Sequence, residues 1–357
     1  MKKALITGVA GQDGAYMTQL LLSKGYVVHG THRPGGTTDF WRLSELGLHD
    51  HPDFYRREHD LSDLSACVEL IAEIMPDEIY NLASLSFAGS SFGQAGASSQ
   101  INGIGAFNLL EAIRQVEPGI RFYQASTSEM FGKARSFPQN EDTPFCPRNP
   151  YGVAKLYAHW MTVNYREQHN IFAVSGIAFN HESPLRGPKF VTRKITNACA
   201  RIALGDAEAL LLGNLDAKRD WGCAQEYVEC MWRMLQTEVP DTFVLASNRT
   251  ETVRGFAQKA FAAVGITLAF AGDAGNETAS IDAIAPDSLA AASGLRAGQT
   301  VIRVSPDFYR PAEEVPLIGD SSKAGNRLGW HPETSLDDLC KSMVAADVLR
   351  NRRRVPV

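Results

Sequence analysis

The order of parts along the first half constrains this chain most. A short apolar strand, Ala4 to Thr7, runs into Gly8-Val-Ala-Gly-Gln-Asp-Gly14, and Tyr16 to Leu22 continues at helical spacing until Lys24-Gly25 ends it. Gly8 permits a tight turn, Gly11 lets the backbone approach a pyrophosphate, and Gly14 lets the helix close on the sheet. The free N–H groups at the helix start then face a phosphate. The alternation continues with strands Tyr26 to Gly30, Phe54 to Arg57, Glu78 to Ala83 and Ile120 to Ala125, and with helices Leu64 to Ile74 and Gly105 to Val116. Strands alternating with helices predict an α/β chain with a doubly wound parallel sheet that binds ligands at the carboxyl ends of its strands. A sixth strand is expected near Ile171 to Ile177.

At 357 residues and 44% hydrophobic, the chain can bury one large core with a smaller companion. The apolar run at the start is too short for a signal peptide, and no stretch approaches ~18 apolar residues, so a cytoplasmic protein without a membrane partner is expected. The six cysteines lack any C-x-x-C pair, which fits reduced thiols and no metal site. A net charge of −5 argues against general nucleic-acid binding, and Arg350-Asn-Arg-Arg-Arg354 reads as a solvated tail.

Chemistry concentrates in Phe122 to Gly132 and in Pro150-Tyr-Gly-Val-Ala-Lys155. Tyr151 and Lys155 are four apart, so on a helix they share a face, and an ammonium there favours the phenolate. Thr127 and Glu129 are two apart at a strand end and point to one side if that end stays extended. A solvated helix face and a chance spacing are the bland readings of these pairs. At the end of the second strand no Asp or Glu stands ready for a ribose 2′-hydroxyl, whereas Arg33, with Arg42 nearby, could meet a 2′-phosphate, so NADP is expected over NAD. In the second half Arg186, Lys189, Arg193, Lys194, Lys218, Arg219, Arg303 and Arg310 recur beside glycines and aromatics and suit a diphosphate. Lys218-Arg219-Asp220 could equally be a surface ion-pair cluster.

Gly8-x-x-Gly-x-x-Gly14, Asn81-Leu-Ala83, Ser126-Thr-Ser-Glu129 and Tyr151-x-x-x-Lys155, in that order, resemble the extended short-chain dehydrogenase/reductase superfamily. Longer strings, Arg121-Phe-Tyr-Gln-Ala-Ser-Thr-Ser-Glu129, Phe179-Asn-His-Glu-Ser-Pro-Leu-Arg-Gly187, Gly213-Asn-Leu-Asp-Ala-Lys-Arg-Asp-Trp-Gly222 and Tyr309-Arg-Pro-Ala-Glu313, resemble the GDP-mannose 4,6-dehydratase family within it. The resemblance implies a Rossmann-type sheet with a smaller C-terminal α/β substrate domain. It also implies internal hydride transfer through NADP, with Thr127, Glu129, Tyr151 and Lys155 catalytic. Cofactor contacts follow at Gly8, Gly11, Gln12, Asp13, Gly14, Arg33, Asp60, Leu61, Leu82, Ala83, Tyr151, Lys155, His181 and Arg186. The GDP-mannose pocket would draw on Asn180, Val191, Lys194, Gly213, Arg219, Arg310 and Glu313. A homodimer or homotetramer is expected.

On this reading the NADP domain spans 1–180 and also receives about 222–246 and 319–327, while 181–357 mainly binds the GDP-sugar. Gly272 to Ala297 lengthens the smaller domain's periphery, and Ser288 to Gly298 reads as a loop and helix variant. Four positions depart from the family pattern. Pro34-Gly-Gly follows Arg33 where a second arginine and serines are usual, Leu85 stands for a glutamine, Cys146 for a tyrosine, and Cys223 for a larger side chain. The nearest rival is a reductase or epimerase acting on a GDP-4-keto-6-deoxy-hexose, and a remote one is a non-enzymatic NADP sensor.

Overall fold

A computed structural model describes residues 1–35, 40–87, 89, 91–206, 209–308 and 317–353. The chain forms two compact units. The first holds Met1–His181, Ala224–Asn248 and Leu317–Pro332, and the second Glu182–Cys223, Arg249–Pro316 and Glu333–Val357.

In the first unit the strands are β1 (Lys3–Thr7), β2 (Val27–His32), β3 (Phe54–Glu58), β4 (Glu78–Asn81), β5 (Arg121–Thr127), β6 (Ala173–Ala178) and β7 (Thr242–Leu245). They pair in parallel in the order β7-β6-β5-β4-β1-β2-β3, the doubly wound arrangement the alternation predicts. Because both faces are covered, interior strands are buried along their length: all six residues of β6 and four of five in β1. The chain steps outward from β1 to β2 and β3, then crosses back to β4, so a crevice opens between the carboxyl ends of β1 and β4.

The helices include α1 (Gln12–Ser23), α2 (Leu64–Ile74), α3 (Gly105–Val116) and α4 (Pro150–His169). Asp63 caps α2 by accepting from Ala66 N–H at 3.2 Å. Ile71, Leu109, Ile113 and Phe122 share one buried cluster, which seats α2 and α3 against β5. A helical turn at Ala95–Ser98 and a wider π turn at Ser99–Ile104 lead straight into α3, so that helical run begins ten residues before the sequence pattern suggests. At the amino ends of the strands the buried Glu78 carboxylate accepts from Lys2, Tyr26, Tyr80 and Gln236. Residues 317–332 return to this unit. Gln139 N–H donates to Ile318 O at 2.7 Å, and its side-chain oxygen accepts from Ile318 N–H at 2.8 Å.

The second unit carries a four-stranded sheet in the order Ile266–Ala271, Thr278–Ile284, Thr300–Val304, Leu210–Leu212, antiparallel except for the last pair. Ile195, Cys199, Phe256, Phe261 and Met343 belong to its core. The stretch expected as periphery contributes a full strand, Thr278–Ile284, and two 3₁₀ turns, Ala274–Asn276 and Leu289–Ala292. Pairing on both sides of that strand outweighs its weak intrinsic signal. Arg193, read from sequence as a diphosphate partner, is 1% exposed and held by the fully buried Asp347 at 2.8 Å. It also donates to the carbonyls of Pro184 and Arg186, so it is a structural cation and not a ligand-facing one.

Candidate active site

The strand β5 ends at Thr127, whose Oγ1 accepts from Glu129 N–H at 3.3 Å and starts a 3₁₀ turn, Ser128–Met130. The extended geometry expected through Glu129 therefore stops two residues early. What directs the Glu129 carboxylate is Asn149, whose Nδ2 donates to Oε2 at 2.8 Å. Asn149 is also the N-cap of α4, its Oδ1 accepting from Gly152 N–H at 2.7 Å, with Pro150 in the first turn where its missing N–H costs nothing. A Cβ on Gly152 would lie 2.7 Å from Glu129 O, so the helix start sits directly against the turn.

Tyr151 and Lys155 lie on one face of α4 and are buried, at 8% and 2% exposure. The Lys155 ammonium donates to Ala125 O at 2.9 Å and stands 6.0 Å from the Tyr151 ring centroid. Burial brings the Lys155 pKa down to about 8, opposed by attraction to Asp13. One turn further, His159 accepts a place in a buried chain: Ser126 Oγ lies 2.8 Å from Ser175 Oγ, which lies 2.8 Å from His159 Nδ1. Burial lowers the His159 pKa to about 4, so that layer is uncharged near neutral pH. Thr127, Glu129, Tyr151 and Lys155 thus come from two neighbouring elements stitched by Asn149 and by Ala125 O.

The glycine turn has the tolerances a phosphate cradle needs. Gly8 has φ +73°, and a Cβ there would lie 2.7 Å from Ala83 Cα. A Cβ on Gly14 would lie 2.5 Å from Gly8 O. Gly11, the N-cap of α1, makes no side-chain cap bond, and a helix N-terminus favours an anion. Thr7, which sequence reasoning passed over, shapes the opposite wall. Its Oγ1 donates to Asn81 Oδ1 at 2.7 Å and accepts from Leu82 N–H and Ala83 N–H at 3.1 Å each. Those two amides thereby leave the β4 ladder, which is why that strand stops at Asn81.

Gln12 Nε2 donates to Asp13 Oδ1 at 3.0 Å and to His181 O at 3.1 Å. His181 lies with Nε2 2.9 Å from Asp13 Oδ2 and Nδ1 2.7 Å from Phe179 O. Arg33 is exposed beyond β2, whereas Arg42 donates to Ala10 O at 2.9 Å, inside the glycine turn. Hydrogen bonds from the Ser62 hydroxyl and N–H hold the Asp60 carboxyl below its usual range. Leu61 is buried and its carbonyl accepts from Asn108 Nδ2 at 2.8 Å.

Asn180, half-buried, belongs to the first unit. In the second, Val191 opens the helix Val191–Ala203 and Lys194 follows within one turn, its ammonium 4.1 Å from the Phe308 ring centroid and its pKa lowered by burial. Gly213 meets the same residue: a Cβ there would lie 2.2 Å from Phe308 O. Arg219 donates to Lys218 O at 2.8 Å, and Arg186 pairs with Glu182 at 3.0 Å. Arg310 and Glu313 lie outside the described residues. Among the described residues no cluster could hold a metal ion, and no helix is long and apolar enough to cross a membrane.

A family model described as GDP-mannose 4,6 dehydratase matches residues 5–343. A GDP-mannose 4,6-dehydratase from Yersinia enterocolitica is 46% identical over 98% of this chain and 94% of its own length. One from Homo sapiens is 44% identical over 97% and 91%. Among solved structures, a dTDP-glucose 4,6-dehydratase from Bacillus anthracis superposes with a TM-score of 0.78 at 17% identity, covering 99% of this chain and 98% of that one. A UDP-glucose 4-epimerase from Thermotoga maritima gives 0.77 at 18% identity, over 98% and 99%. At such identities these two likenesses speak for the fold.

Proposed function

The chain belongs to the GDP-mannose 4,6-dehydratase family, and from that premise we propose which of its side chains carry each step. It is a hydro-lyase that converts GDP-D-mannose to GDP-4-dehydro-6-deoxy-D-mannose and water. Water cannot leave C6 of an intact hexose readily, because the C5 hydrogen is not acidic. A ketone at C4 makes it so.

Tyr151 takes the proton of the C4 hydroxyl, and the Lys155 ammonium, fixed on Ala125 O, favours the phenolate that does this. A nicotinamide held in the glycine cradle would supply the acceptor for the C4 hydride and the donor of the same hydride to C6, so that no net oxidation results. Thr127 holds the C4 oxygen. Glu129 removes the C5 proton and, as its conjugate acid, delivers a proton to the departing C6 hydroxyl. A proton returned to C5 balances the one Tyr151 removed.

The observation that carries this reading is the hydrogen bond joining the Glu129 carboxylate to the residue that caps the Tyr151–Lys155 helix, because a plain dehydrogenation needs no carboxylate there. The cradle at Gly8, Gly11, Gln12, Asp13 and Gly14, walled by Leu82 and Ala83, suits the dinucleotide, with Asp60 and Leu61 toward its adenine. Arg33 and Arg42 favour NADP, since Arg42 is anchored on the phosphate turn itself. His181 and Arg186 complete the cofactor contacts. Asn180, Val191, Lys194, Gly213, Arg219, Arg310 and Glu313 bind GDP-mannose, with Lys194 and Gly213 meeting at Phe308. Val153, Tyr157 and Trp160 form an exposed stripe on α4, at 55%, 42% and 54%, which supports a homodimer or homotetramer. The six cysteines are free and five are buried, as suits a reducing cytoplasm.

Glu129→Gln tests the assignment. Binding of the cofactor should persist, while release of tritium from C5 of labelled GDP-mannose should fall by roughly 10²–10⁴. Release at the unaltered rate would remove Glu129 from the mechanism.

A further inference from the structure

An N-cap uses only an acceptor, and Ser, Thr, Asp and Asn serve about equally in that role. Asn149 does more than cap. Its Oδ1 accepts from Gly152 N–H at 2.7 Å, which determines that the other branch of the amide is Nδ2, and that branch meets Glu129 Oε2 at 2.8 Å. The flipped amide would set two N–H donors against each other at the cap and two oxygens against each other at Glu129, so the assignment follows from chemistry. Among the described residues the second carboxylate oxygen of Glu129 takes no hydrogen bond, and the side chain is half-buried. The contact between Gly152 and Glu129 O leaves the turn and the helix start little freedom to drift apart.

We propose that Asn149 is a positioning residue that clamps Oε2 of Glu129 and so leaves Oε1 as the oxygen that takes the C5 proton. The same amide fastens the base to the helix bearing Tyr151 and Lys155, so the two proton-transfer groups keep one spacing through both halves of the reaction. This rests on Glu129 being the base.

Asn149→Ser and Asn149→Asp keep a cap but remove the donor, and Asp adds a like charge against Glu129. Asn149→Ser should melt within about 2 °C of the unaltered chain, because Ser caps as well, whereas Asn149→Asp should melt lower through its charge against Glu129. With labelled GDP-mannose and the enzyme holding its nicotinamide, tritium release from C5 should fall about 10-fold in N149S and about 100-fold in N149D, the range of a hydrogen bond to a charged group. Formation of reduced nicotinamide in the first turnover should stay within about 2-fold, since no C4 contact changes. Glu129→Gln runs in parallel. If both Asn149 variants release C5 tritium at the unaltered rate while Glu129→Gln does not, the clamp is refuted and the base stands. Unaltered release from Glu129→Gln overturns both. Losses that track the melting temperature and strike the C4 step equally would reduce Asn149 to a cap and refute the clamp.

Discussion

Lys155 should be held at a cost to stability, and replacing it should expose that cost. Its ammonium is 2% exposed and, among the described residues, donates to one acceptor, Ala125 O, and burial takes its pKa from 10.5 to about 8. That drop corresponds to roughly 3 kcal/mol against the charged form in the folded chain. Lys155→Met fills a similar volume without the charge. It removes one hydrogen bond from the Ala125 carbonyl, which still accepts from Gln124 Nε2 at 3.0 Å, a loss of about 1 kcal/mol, so a net gain of about 2 kcal/mol is expected at pH 7. Below pH about 8 the folded and unfolded chains both hold the proton, and the burial cost is carried in full. Between about 8 and 10.5 the unfolded chain holds more protons, so the unaltered chain gains stability as pH rises and the advantage of the variant shrinks to nothing. Urea unfolding at pH 7 and pH 10.5 measures this, and C4 oxidation by the variant should be lost by about 10²–10⁴. A variant less stable at pH 7, or one that keeps its advantage at pH 10.5, would refute the reasoning.

Gly14→Ala must push its methyl against Gly8 O, 2.5 Å away, and should weaken nicotinamide-nucleotide binding by at least about 10-fold in a fluorescence titration of the reduced cofactor. Gly25→Ala, with nothing within 4 Å, should suffer only the backbone strain of an alanine at positive φ and bind normally. Asp347→Ala strips Arg193 and Arg350 of the buried carboxylate they share and should cost about 3–5 kcal/mol in denaturant unfolding, whereas Leu at all three positions should restore most of it.

What could be read in advance was whatever depends on neighbours in the chain. The helix Leu64–Ile74 stands at the limits its apolar spacing indicates, Gly105–Val116 ends where its spacing ends, and the parallel sheet follows from alternation. Thr278–Ile284 was hidden because its residues are small and its strand character comes from partners on both sides. Arg193 resembled a phosphate ligand because its partner, Asp347, lies 154 residues away. Asn149 was not singled out, since its bond to Glu129 spans 20 residues and depends on a 3₁₀ turn that the strand pattern does not announce. Thr7 was passed over for a similar reason: its partners Asn81, Leu82 and Ala83 come from the far side of the crossover.

The strand β7 closes the edge of β6, yet it is made more than sixty residues later. At about 5–20 residues per second on the ribosome, β6, all of whose residues end up buried, waits several seconds with a row of unpaired amides and carbonyls on that edge. Gln139 waits longer still, until Ile318 arrives. The nucleotide unit cannot be completed before nearly the whole polypeptide has been synthesised, so a nascent chain stalled near residue 200 would present an open sheet edge to chaperones and to other copies of itself.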